Sequence, residues 1–147
     1  MSAIRCSLLA LAVFSLAPCA HAGADELLGR WRFATAPHPA SGCAISGTAD
    51  FSQGVAANVF AIAIEAEEHC PELGRMAQVS ERCVGMLVEE ALRIRCRLVR
   101  SDTPDYVPDH FRLDAVSHAL MTGRLDDERA WDVPVRFERD GAGALIS

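Results

Sequence analysis

Residues 92–98 read Leu-Arg-Ile-Arg-Cys-Arg-Leu, an unbroken alternation of apolar and charged side chains. Successive side chains of an extended strand point to opposite faces, whereas a helix of this sequence would spread arginines and aliphatics around its whole circumference. The segment is therefore a strand, with Leu92, Ile94, Cys96 and Leu98 on a core face and Arg93, Arg95 and Arg97 outside. A cysteine on the core face, with Cys83 on the segment before it, makes this strand a crosslink point as well as a core wall.

Further strands are predicted at 28–34, 43–51, 59–66, 77–88, 111–116, 120–125 and 131–139, from Val/Ile/Phe/Trp content, alternation and the turn residues between them. Trp31 and Phe33 point inward on the first, and Trp131, Val133, Val135 and Phe137 share a face of the last. Residues 67–75, with Pro71 and Gly74, read as a connection, and 101–109, with Pro104 and Pro108, as a long loop. Pro134 falls mid-strand, which places that strand at a sheet edge or a bulge. The fold class is all-β: about eight antiparallel strands that close an up-and-down barrel or form a two-sheet sandwich.

Half the 147 residues are hydrophobic and 23% are charged, enough for one core and too apolar for disorder. A formal net charge of −6 excludes a general nucleic-acid binder, which would be basic. Residues 1–22 combine Arg5, an apolar run from Leu8 to Leu16 and a small-x-small site, Ala20-His21-Ala22, the pattern of a cleaved secretory signal. Leu16-Ala17-Pro18-Cys19 resembles a lipobox, but Pro18 stands where a small residue is usual, and Ala20-His21-Ala22 offers the better cleavage site. The apolar run is shorter than the ~20 residues a spanning helix needs, so no transmembrane segment is expected in the mature protein. The expected division is a signal at 1–22, one β domain at 23–139 and a loose tail at 140–147, in a periplasmic or secreted protein.

Cys43, Cys70, Cys83 and Cys96 remain after cleavage, an even count that points to two disulfides in an oxidising compartment. Three pairings exist, and hairpin geometry favours one of them. A turn at Glu89-Glu90 sets Cys83 opposite Cys96, and one centred on Ala56-Ala57 sets Cys43 opposite Cys70. The first register also sets Leu98 against Glu81 and Arg97 against Arg82, which calls for a bulge there.

Gly29-Arg30-Trp31 on the first of eight strands resembles the lipocalin-like and avidin-like calycins. In those families the tryptophan closes one barrel end under a basic residue from a late strand, and the resemblance implies Arg136 or Arg139 for that role. It implies, too, a cup for a small apolar ligand.

Catalytic chemistry finds little to use. There is no Gly-x-Ser-x-Gly elbow or Cys-x-x-Cys, and His38, His69, His110 and His118 lack metal-site spacing. The acid clusters at 65–68, 89–90 and 126–128 fit solvated turns. No enzyme activity, metal or cofactor is expected. Two readings remain. In the first, an exported non-catalytic binding protein holds a small apolar ligand or envelope component, lined by Trp31, Phe33, Ile94, Phe111 and Trp131. In the second, a periplasmic inhibitor or immunity protein blocks an envelope-acting enzyme. Arg93, Arg95 and Arg97, which alternate at ~6.8 Å along a strand, and Tyr106, on its proline-stiffened loop, are the candidate partner-binding residues.

Overall fold

The computed structural model describes residues 23–126 and 131–141; the proposed signal and most of the tail lie outside them. Eight antiparallel strands follow a short 3-10 turn at Ala24–Leu27: β1 (Gly29–Thr35), β2 (Ala44–Gln53), β3 (Val59–Cys70), β4 (Arg75–Val88), β5 (Ala91–Ser101), β6 (His110–Val116), β7 (Leu120–Asp126) and β8 (Asp132–Arg139). Each pairs with the next, and β8 returns to pair with β1, so the sheet closes into an up-and-down barrel rather than a sandwich. Among the described residues no helix is long and apolar enough to cross a membrane.

Closure follows from the side-chain pattern. Strict period-two burial along β3 puts Phe60, Ile62, Ile64 and Ala66 inside, and β5 does the same with Leu92, Ile94 and Cys96. A wall with one apolar face and one polar face buries the first completely only when it curls on itself. Gly47 and Gly123 permit the tight curl: a Cβ would come within 2.2 Å of the Glu65 carbonyl oxygen at the first and 2.0 Å of the Arg112 carbonyl oxygen at the second. Among the described residues twelve large side chains are fully buried. At roughly 1.5–3 kcal/mol for each buried aliphatic or aromatic side chain, they outweigh the exposed ion pairs, which contribute about 0–1 kcal/mol each.

Several boundaries differ from expectation. Residues 67–70 continue β3 and Arg75–Met76 begin β4, because Glu67 and His69 face outward while Glu68 and Cys70 keep the inward period. The acids at 65–68 therefore lie on a strand, not in a turn. Pro134 is neither at a sheet edge nor in a bulge. Its carbonyl accepts the Ala36 N–H at 2.8 Å, one residue past the end of β1, so its missing donor falls where that ladder stops. The bulge in the β4–β5 hairpin is present: Glu81 faces Leu98, Arg82 faces Arg97, and the register shifts between Ser80 and Glu81. Disulfides join Cys43 to Cys70 and Cys83 to Cys96.

Candidate functional site

The two ends of the barrel are closed by different chemistry. At the base, where β1 begins, the Trp31 ring is fully buried and its indole N–H donates to the Leu27 carbonyl at 2.9 Å. Arg139, the last residue of β8, lies over the ring with its guanidinium carbon 4.4 Å from the centroid. Its guanidinium also donates to three backbone carbonyls, those of Leu28 at 2.8 Å, His118 at 2.6 Å and Glu26. Gly29 makes room for this: its φ of 114° disfavours any side chain, and a Cβ there would sit 3.2 Å from Arg139 Nη1. Arg136, the other candidate cover, points outward and pairs with Glu138. The base thus unites three chain segments through one cation whose donors meet carbonyls.

The opposite end, the mouth, collects acids. Glu81 points into the barrel from β4 with none of its surface exposed. Its Oε1 accepts the Asp109 backbone N–H at 3.0 Å, while Oε2 has no hydrogen-bond partner among the described residues. Burial pushes its carboxyl up to about 7, against a smaller downward pull from the Asp109 N–H. Asp109 itself is buried and accepts the Tyr106 hydroxyl at 3.0 Å through Oδ2. Glu68, also buried, accepts from Arg75 at 2.8 Å. Tyr106, 8% exposed, joins the barrel core from the loop at 102–109. Its hydroxyl is held well above the ordinary phenol range, first by burial and then by the charges of Asp109, Glu68 and Glu81. Its neighbour Asp105 adopts a positive φ of 61°, a bend that turns the loop inward.

Trp31, Phe33, Ile94 and Phe111 are all buried in the barrel core. Phe33, Phe111 and Phe137 form a closed triangle with ring centroids 5.0–5.5 Å apart. Trp131, just before β8 at the mouth, is half-buried, packs against the edge of the core and stacks on His38 at 5.1 Å. Tyr106 turns inward instead of being presented to a partner. Arg93, Arg95 and Arg97 face solvent, as their alternation requires. A groove of about 400 Å³ beside them lies on the outer wall, lined by Asp50, Ser52, Ala61, Ala63, Arg82 and Arg97. Sequence reasoning missed Glu81, Glu68 and Asp109. Glu81 shares the inward period of Ala77, Val79 and Cys83, a signal that its own polarity obscured.

No protein-family model matches the sequence, and no curated protein matches it. Among solved structures, a redesigned β-barrel, mFAP1, bound to DFHBI, superposes with a TM-score of 0.61 at 13% identity, covering 80% of this chain and 98% of that one. A de novo designed fluorescence-activating β-barrel follows with a TM-score of 0.56 at 16% identity, covering 79% and 95%. At these identities the likeness is one of fold.

Proposed function

We propose that the protein is an exported, non-catalytic binding protein that takes a small, mainly apolar ligand into the mouth half of its barrel. The observation that carries this reading is the unpaired carboxylate oxygen of Glu81, buried beneath a side chain that comes from a loop rather than a strand. An interior with no role beyond packing would place an aliphatic residue there, since burying a carboxylate costs several kcal/mol. In this reading Tyr106, which joins the core from a loop, is a removable plug, and Phe33, Phe111 and Ile94 of the same core supply the apolar floor and wall. A ligand that displaces it meets that floor and can offer a hydrogen-bond donor to Glu81.

Support also comes from precedent: the redesigned barrel of similar architecture is bound to DFHBI. Two disulfides suit an oxidising compartment, which agrees with a signal at 1–22. The calycin resemblance gains Arg139 over Trp31 as its late basic residue. The inhibitor reading loses its loop anchor, because the Tyr106 ring is buried.

Titration of the oxidised protein with DFHBI and with Nile red, in wild type and Tyr106→Ala, tests the reading. Saturable dye emission that is stronger in Tyr106→Ala and weaker in Tyr106→Ala/Phe111→Leu is expected. A folded Tyr106→Ala protein, judged by near-ultraviolet dichroism, that enhances neither dye would overturn it.

A further inference from the structure

Half a turn around the barrel from β1, the outer wall of β4 and β5 carries a surface unlike the rest of this acidic chain. Along β4 the outward residues are Arg82, Val84, Met86 and Val88; facing them on β5 are Arg97, Arg95, Arg93 and Ala91. Neither row contains a carboxylate. Arg93, Arg95, Arg97 and Arg100 make no ion pair among the described residues, and Arg82 donates only to the Glu81 backbone carbonyl. By contrast Arg30, Arg32, Arg75, Arg112, Arg124 and Arg136 each have a carboxylate partner. Arg82 and Arg97 are directly opposed, an arrangement of like charges that destabilises a sheet unless something external neutralises it.

The apolar members of the wall are equally exposed. Val84, Met86, Val88 and Val99 keep 46–54% of their surface in water, interleaved with the guanidinium groups. An apolar row at the same height as a cationic row matches an interface with phosphates near its surface and hydrocarbon just below. A protein partner would need acids placed in register with fixed arginines, whereas mobile lipid phosphates can adjust to the spacing of the row.

We propose that the β4–β5 wall docks on a membrane surface whose lipids carry anionic phosphate headgroups. Arg82, Arg93, Arg95 and Arg97 take the phosphates, and Val84, Met86 and Val88 settle toward the acyl region. The turn acids Glu89 and Glu90 border the patch at one end and tilt the contact toward its arginine-rich end. This docking is independent of a ligand in the barrel.

Co-sedimentation of the oxidised protein with vesicles tests it, comparing phosphatidylcholine alone with phosphatidylcholine containing phosphatidylglycerol. Binding to the second and not the first is expected, falling as salt rises. An exposed arginine near such a surface contributes about fivefold in partitioning, so Arg93→Gln/Arg95→Gln/Arg97→Gln should lose about a hundredfold. Val84→Ser/Met86→Ser should also weaken binding, while Arg32→Gln on β1 leaves it unchanged. Equal partitioning to both vesicles, or full retention by the triple variant, would overturn the proposal. So would complete competition by millimolar glycerol phosphate, which would assign the arginines to a free anion, or binding to soluble acidic polypeptide with none to vesicles.

Discussion

The base and the mouth do the same topological job, closing a barrel end, with opposite economies of charge. At the base a cation is drawn over an aromatic ring, and each of its donor nitrogens meets a backbone carbonyl. At the mouth three carboxylates are buried, and one of their oxygens has no partner among the described residues. The difference teaches where each end can change. Opening the base would break an interlock among β1, β8, the 3-10 turn and the β6–β7 turn. Opening the mouth requires a loop to lift.

The comparison breaks most visibly if the base is emptied. Trp31→Ala should lower the unfolding free energy by about 3–5 kcal/mol, measured by urea titration, because a fully buried indole leaves a cavity that a closed barrel cannot collapse. A loss below about 1 kcal/mol would mean that the base is not the anchored end.

Next in size is the pH response of the mouth. The folded-state Glu81 carboxyl, raised to about 7 from an ordinary 4.5, keeps its proton where the unfolded chain has lost it. The folded state therefore binds more protons between those values. Stability should fall as pH rises through that window, by up to about 3 kcal/mol for this group. Glu81→Gln should flatten that decline, gaining stability at pH above about 7 and little near pH 4. An unchanged pH profile in Glu81→Gln would place the titration elsewhere.

Disulfides sharpen the contrast at a similar scale. Cys43–Cys70 spans 27 residues and Cys83–Cys96 spans 13, so loop entropy assigns about 3.6 and about 2.9 kcal/mol respectively. Replacing each pair with alanines should follow that order. Smallest is Tyr106→Phe, which removes one hydrogen bond to Asp109 and should cost about 1 kcal/mol. Its clearer readout is faster amide exchange at 102–109, with exchange at the base strands unaffected.

Legibility from sequence followed the same divide. The strands, both crosslinks and the β4–β5 bulge were readable because alternation and hairpin arithmetic are local, and the barrel tolerates one register only. The resemblance carried by Gly29-Arg30-Trp31 implied a barrel-end role for Trp31, but the choice between Arg136 and Arg139 needed the seam register, in which Arg139 falls beside Trp31. The mouth was illegible for a physical reason. Burial of Glu81, Glu68 and Asp109 violates the rule that charged residues face water, and pattern reading depends on that rule. Tyr106 was misplaced likewise: two prolines announce a stiff loop, but nothing local says whether the loop points outward or folds over its own barrel.

The order of strand pairing has a kinetic corollary. Seven of the eight pairings join strands adjacent in sequence, and the eighth joins β1 to β8. As the chain emerges from its N-terminus, hairpins can zip in turn, yet the first strand must wait with one flank unsatisfied until the last arrives. The cation that covers Trp31 rides on that final strand, 111 residues after the carbonyl of Leu28 that it grips. Ring closure and shielding of the indole are thus one event, and the last phase of refolding should be visible as a change in tryptophan emission.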